Sequence, residues 1–242
     1  MTPWFAQTRT ELMLSLRQGE QLLVSLGIPV LVLVFFSLVD VLPVPDRFDE
    51  PVDFLVPGVL ALAVMSSAMV SLGIGTGFER QYGVLKRLGA TPLGRPRLIL
   101  AKGSMVLSVE IVQAAVLIGV ALLLGWRSGG DVVLALPAVL LGTAAFAGIG
   151  LFMAGTLRGT VTLALANGVY VVLLLLGGMI IPLDELPRAV RAVAEVLPAA
   201  PLAETLTAAL AEGQTASASA WIVLAVWAVA APAAAAAFFR WE

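Results

Sequence analysis

Long stretches free of charge alternate with short polar segments along this chain, and their lengths match a bilayer. Residues 21–39 run 19 residues without a charged side chain, residues 54–78 run 25, and residues 132–157 run 26. A hydrocarbon core of about 30 Å takes roughly 20 apolar residues in a helix, so each run predicts a transmembrane span. Residues 98–124, with Glu110 as the only acidic interruption and Lys102 near the start, residues 160–181 and residues 220–239 bring the expected spans to six. Pro29 is expected to bend the first of them. Gly73, Gly75 and Gly77 at the end of the second, and Gly142, Gly148, Gly150 and Gly155 in the fourth, permit close approach of neighbouring backbones.

The segments between the runs carry patterns of their own. Residues 3–20 mix Trp4, Phe5, Leu12, Met13 and Leu16 with Arg9, Glu11, Arg17 and Glu20, which suits a helix lying in the membrane interface. A cleaved signal peptide fits less well, because the charged region is long and acidic as well as basic, and no small-x-small site follows the apolar run. Asp40 to Asp53 is an acidic loop stiffened by Pro43, Pro45 and Pro51. Residues 183–219 are only partly polar: Leu186, Val190, Val193, Val196 and Leu197 recur at helical spacing, then Leu202, Leu206 and Leu210 follow Pro198 and Pro201. Two short helices over residues 183–212, broken at Leu197-Pro198, are expected, forming a hairpin that dips partway into the membrane. Such a hairpin serves either as a plug against the fifth and sixth spans or in substrate exit.

The stretch between the second and third spans is the most informative. Residues 79–92 read Glu-Arg-Gln-Tyr-Gly-Val-Leu-Lys-Arg-Leu-Gly-Ala-Thr-Pro, and with Arg95, Arg97 and Lys102 beyond them they hold six of the fourteen basic residues. On a helix Phe78, Tyr82 and Leu85 form one stripe with Leu88 at its flank, while Arg80 and Arg87 point the other way. Thr91-Pro92 is expected to end it. On charge alone this is a loop that anchors topology by the excess of Lys and Arg on the cytoplasmic side.

Composition narrows the chemistry. The chain is 60% hydrophobic and 12% charged, with a mean hydropathy of +1.01, which excludes a soluble domain. It has no cysteine and no histidine, so disulfides, thiolate catalysis and His-ligated metals or haem are excluded for this chain alone. No G-x-x-x-x-G-K-[ST] run is present to cradle a nucleotide, so no cofactor is expected in the chain, and any ATP and Mg belong to a partner subunit. Nothing points to nucleic acid. With both termini inside, the cytoplasm receives ten of the fourteen basic residues and the outside eleven of the sixteen acids, which predicts an N-in, C-in protein.

The basic stretch resembles a motif of the membrane subunits of type-2 ABC exporters, the class of drug-resistance, polysaccharide and teichoic-acid export permeases. Their loop between the second and third spans reads roughly Glu-Arg-Glu-x-Gly-Thr-Leu-x-x-Leu-x-x-Thr-Pro. Glu79, Arg80, Gly83, Leu85, Leu88, Thr91 and Pro92 match; Gln81 and Val84 depart. Gly178, Pro182, Leu186-Pro187 and Pro198 stand where that family carries Gly-x-x-x-Pro, Leu-Pro and a later Pro after its fifth span. The resemblance covers nearly the whole chain. It implies a multi-pass plasma-membrane permease without enzymatic activity, paired with an identical or homologous permease. Two copies of an ATPase subunit would dock on the helix carrying Glu79, Arg80, Gly83, Leu85, Lys86, Arg87, Leu88, Thr91 and Pro92.

Polar residues inside the spans are the remaining candidates. A carboxylate at the bilayer centre costs on the order of 3 kcal/mol or more, so Glu110 must face protein or water, find a donor, or be protonated. Gln113 lies one turn further on the same face. Glu110 either lines a substrate path or fixes packing through Gln113, Ser108 or Asn167. Asn167 and Tyr170 are expected to share a face of the fifth span as similar candidates. A membrane-embedded enzyme lacks its nucleophiles and bases here. An ion-coupled secondary transporter centred on Glu110 would be expected to carry more intramembrane charges and a repeat.

Overall fold

The computed structural model describes residues 19–39, 44–45, 48, 50–89 and 94–240. The chain is all helical, with no strand among the described residues. Its helices are α1 (Gly19–Leu38), α2 (Pro51–Gln81), α3 (Val84–Gly89), α4 (Gly94–Leu123), α5 (Val132–Thr156), α6 (Gly159–Leu176), α7 (Arg188–Ala194), α8 (Ala199–Leu210) and α9 (Ala218–Phe238). Five of them, α2, α4, α5, α6 and α9, are long and apolar enough to cross a bilayer. In α1 the stretch Leu26–Leu38 is apolar but shorter, and Pro29 sits inside the helix. The pair α7 and α8, bent by 80°, passes the same test if taken as one broken span. The expected interfacial helix over residues 3–20 lies almost wholly outside the described residues, as do Thr91, Pro92, Asp40, Asp46, Arg47 and Asp49 of the expected loops.

Helix α2 is the axis of the fold. In its apolar window 89% of residues are buried, against 17% in α9, and α1, α4, α5, α6 and α8 all pack around it. It is longer than the 54–78 expected from charge alone. Pro51 opens it at a position that needs no N–H donor, and it continues through Glu79 and Arg80 because both find partners on neighbouring helices. Ser66–Ser71 form a π-helical turn in its middle, a feature frequent at functional positions in helices.

Small residues set the helix spacing. A Cβ on Gly150 of α5 would lie 2.6 Å from Met69 O of α2, and Gly73 of α2 faces Gly150 in return. A Cβ on Gly148 would meet the backbone at Ala231 and Pro232 of α9, at 2.5 and 2.4 Å. In lipid, helices gain little from excluding water, so close backbone contact is a main source of attraction.

The ends of the spans follow local chemistry. Asp131 accepts from Val133 N at 2.9 Å and starts α5, and Ser217 Oγ accepts from Ala220 N at 3.2 Å at the start of α9. Helix α6 ends at Leu176, short of the expected 181, because Gly178 takes φ +67° and terminates it. Helix α4 begins earlier than the expected 98, with Pro96 in its first turn, where proline is tolerated.

The segment after α6 folds into two short helices. Helix α8 packs on α2, α5 and α9, with Leu202 and Leu206 fully buried. Its 12 residues rise about 18 Å from the break at Pro198 to Leu210, whose carbonyl accepts from Gly130 N at 3.2 Å beside the start of α5. The break therefore sits deep among the spans. There Trp227 Nε1 donates to Val196 O at 2.8 Å, satisfying a carbonyl that no helix bond satisfies.

Gly150→Val should lower the melting temperature of the detergent-purified protein, by overpacking worth about 1–3 kcal/mol. Gly103→Ala, where an added Cβ meets nothing within 4 Å, should leave it unchanged or slightly raised. Equal melting temperatures for wild type and Gly150→Val would show that this crossing does not set the spacing.

Candidate functional site

The expected basic helix over 79–92 is divided in the structure. Helix α2 ends at Gln81, Tyr82 and Gly83 form a turn, and α3 starts at Val84. Gly83 takes φ +70°, a left-handed conformation that costs L side chains energy, and this ends the helical hydrogen bonding. The stripe read from an unbroken helix is corrected accordingly: Tyr82 stacks on Phe78, ring centroids 6.0 Å apart, yet is 67% exposed, whereas Leu85 is buried against Leu88 and Phe239.

Before the break, three consecutive side chains brace four helix ends. Glu79 pairs with Lys102 of α4, with Nζ to Oε1 and Oε2 at 2.9 and 2.7 Å, and the Lys102 side chain is 5% exposed. Arg80, expected to point outward with Arg87, instead turns across the bundle. It donates to Gly155 O, to Leu157 O at 2.7 Å and to Arg240 O at 3.4 Å, while Arg240 N also donates to Gly155 O at 3.1 Å. A guanidinium here satisfies the orphan carbonyls that end α5 and opposes the negative end of its dipole. Gln81 Oε1 accepts from Gly159 N at 3.0 Å, serving an orphan donor at the start of α6. Gln81 thus supplies the acceptor needed at this position.

After the break, α3 projects from the brace. Lys86 and Arg87 are exposed, as are Tyr82 and Val84, and Gly83 is half-buried between them. The turn and α3 therefore present an aromatic ring and two cations on a short helix seated by Leu85.

A second polar cluster lies in the middle of the bundle. Glu110 of α4 is 5% exposed; Thr143 Oγ1 of α5 donates to its Oε2 at 2.7 Å, and Ser67 Oγ lies 3.2 Å from its Oε1. Ser67 sits in the π-helical turn of α2 and also approaches Ala63 O at 2.9 Å. Gln113, buried at 2% exposure, stands one turn along. The expected partners of Glu110 were Gln113, Ser108 or Asn167. Ser108 instead donates to Ser104 O at 2.8 Å, and Asn167 Nδ2 to Leu163 O at 2.8 Å within its own helix. Ser67 and Thr143 went unidentified in the sequence, where the only signals were Ser66-Ser67 and Gly142-Thr143 inside apolar runs.

The family model of the ABC-2 type transporter matches residues 2–211. This chain belongs to the ABC-2 type transporter family. Among the curated proteins none matches it. As an ABC-2 permease it is a transport component and a multi-pass membrane protein. The remaining candidate residues of this permease are spread out. Tyr170 is buried at 8% exposure while Asn167 of the same helix is exposed, so the two do not share an environment as expected. Gly178 and Pro182 form the turn after α6, Pro187 stands at the N-cap of α7, and Pro198 at the N-cap of α8.

The brace is expected to behave as a coupled unit. Lys102→Met removes the buried ammonium that pairs with Glu79 and should destabilise the permease by about 3–5 kcal/mol, while adding Glu79→Met should recover much of that loss. Thermal unfolding of the singles and the double in detergent measures the coupling; strictly additive losses would refute it. At the buried cluster, Glu110→Gln keeps an acceptor for Thr143 and should cost about 1 kcal/mol, and Glu110→Leu, which takes the acceptor from Thr143 Oγ1 while Ser67 keeps Ala63 O, should cost about 1–3 kcal/mol in the same assay.

Proposed function

We propose that this ABC-2 permease is the membrane subunit of an ATP-driven exporter in the plasma membrane, with both termini cytoplasmic. Two permeases form the pathway, and two copies of a separate ATPase subunit, which bind ATP and Mg, dock on the segment Tyr82–Gly89. The observation that carries this reading is the placement of that segment: an exposed ring and two cations sit directly on the brace that joins α2, α4, α5 and α6. A displacement of α3 reaches four spans through Glu79, Arg80 and Gln81 without passing through a flexible linker. Closure of the ATPase pair shifts the permease only if it binds one of its conformations better than the other, and a rigid brace gives that difference a place to act.

An apolar groove supports a lipophilic substrate class. A groove of about 330 Å³ runs between α5, α6, α9 and the Pro198 break, lined by residues such as Phe152, Leu173 and Trp227. Its lining is apolar, and Trp227 N–H is already engaged by Val196 O. A guest there gains by burying hydrocarbon and finds no polar partner, which suits a lipophile, a lipid or the lipid portion of a lipid-linked glycan. The α7–α8 hairpin closes one side of this groove and stands at the outer end of the pathway.

Arg87→Glu, on the exposed face of α3, should reduce recovery of the ATPase in mild-detergent pulldowns about tenfold and abolish transport, with membrane insertion unchanged. Arg188→Glu at the opposite end of the bundle should leave recovery at the wild-type level. Full recovery and transport in Arg87→Glu would remove the docking role from this segment.

A further inference from the structure

Glu110 stands at the middle of the apolar stretch Ile99–Leu123 of α4, and so near the bilayer centre. It is 5% exposed, and among the described residues its carboxyl bonds two groups, Thr143 Oγ1 at 2.7 Å and Ser67 Oγ at 3.2 Å. Neither is a cation. The nearest charge on α4 itself is Lys102, about 12 Å back along the axis and held by Glu79. Helix α2 carries its titratable side chains near its ends, Asp53 at one and Glu79 and Arg80 at the other; α1 has none after Glu20, and α5 has none. Lys86 and Arg87 of α3 are exposed beyond the brace.

The number of hydrogens decides the state of the carboxyl. Each hydroxyl has one proton to donate. Thr143 directs its proton to Glu110 Oε2. Ser67 Oγ lies 2.9 Å from Ala63 O, 3.2 Å from Val64 O and 3.2 Å from Glu110 Oε1, so one proton faces three oxygens. The shortest contact, to the carbonyl four residues back, takes it, a common bond for serine within helices. Ser67 Oγ and Glu110 Oε1 then meet lone pair to lone pair unless a second proton lies between them, and the carboxyl is the group able to carry it. An ionised Glu110 would also stand without a cation where a charge is most costly.

We propose that the centre of the bundle is a proton-binding site, in which Glu110 is held as a neutral acid that donates from Oε1 to Ser67 Oγ and accepts at Oε2 from Thr143 Oγ1. The order closes without a conflict: Glu110 donates to Ser67, Ser67 to Ala63 O, and Thr143 to Glu110. The proton thereby ties α4 to the π-helical turn of α2, and Thr143 ties both to α5. Residues 54–78, 132–157, 160–181 and 220–239 hold no charged side chain, so no second acid lies within those spans to receive the proton. A conformation that admits water to the centre lets Glu110 ionise, and by linkage a bound proton favours the enclosed arrangement.

Infrared difference spectra of the full-length protein in lipid vesicles at neutral pH, wild type minus Glu110→Gln, read the proton directly. The wild type should show the carbonyl band of a protonated carboxylic acid, and Thr143→Val should move that band to higher frequency by freeing Oε2. Loss of a carboxylate band instead, or a band unmoved in Thr143→Val, overturns the proposal. Unfolding in mixed micelles gives a second readout. A glutamine keeps the pattern, its Nε2 donating to Ser67 and its Oε1 accepting from Thr143, but it takes up no proton. Above about pH 5 the unfolded chain releases the Glu110 proton that the folded chain keeps. Wild-type stability relative to Glu110→Gln should therefore fall about tenfold in folding constant per pH unit, so that the deficit of the variant shrinks and then reverses. Parallel curves for the two proteins across this range also overturn it.

Discussion

A helix enclosed by other helices within a membrane must find every polar partner inside the protein, and α2 is enclosed for most of its 31 residues. Water is absent from the bilayer core, and a lone charge or amide there costs several kcal/mol. The rest of the architecture answers that demand. At mid-depth the π-helical turn brings Ser67 to Glu110, and Thr143 completes the cluster from α5. At the end, Glu79, Arg80 and Gln81 take their partners from α4, from the closing turn of α5 and from the start of α6. Glycine contacts at Gly73 and Gly150 hold the helices near enough for these short bonds to form.

The same demand separates two kinds of polar group along this permease. Glu79, Arg80 and Gln81 lie within the span-ending turn and are consumed in joining helices. Tyr82, at the end of that helix, is exposed, and Lys86 and Arg87, a few residues later, are turned out by a single glycine at φ +70°. A motif that reads as one surface in the sequence is therefore divided: Glu79, Arg80 and Gln81 bond to neighbouring helices, and among the described residues Tyr82, Val84, Lys86 and Arg87 are exposed.

The outer hairpin shows how irregular backbone survives between spans. The bend between α7 and α8 interrupts the helical ladder, α8 passes along α2, α5 and α9, and the indole of Trp227 bonds the Val196 carbonyl. At its exposed side Arg191 pairs with Asp184 and Glu195 at 2.6 and 2.7 Å, contacts that are worth little each and tie α7 to the turn before it.

Much of this fold was legible in the sequence because charge and hydrophobicity are local properties. Apolar runs located α2, α4, α5, α6 and α9, Pro198 marked the break before α8, and the spacing from Glu79 to Pro92 pointed to the family. Partnership is not local. Nothing within reach of Glu110 in sequence names Ser67, 43 residues away, or Thr143, 33 residues away, as its partners. Periodicity placed Arg80 beside Arg87 on an outward face, since a helical wheel assumes that the helix continues. The positive φ at Gly83 ended that continuity, and the orphan carbonyls of α5, 75 residues away, drew Arg80 inward. Composition and pattern thus determined that the chain is a helical membrane permease and where its spans lie. The tertiary structure alone decided which polar groups hold it together and which remain on its surface, because each orphan group selects its partner by proximity in space.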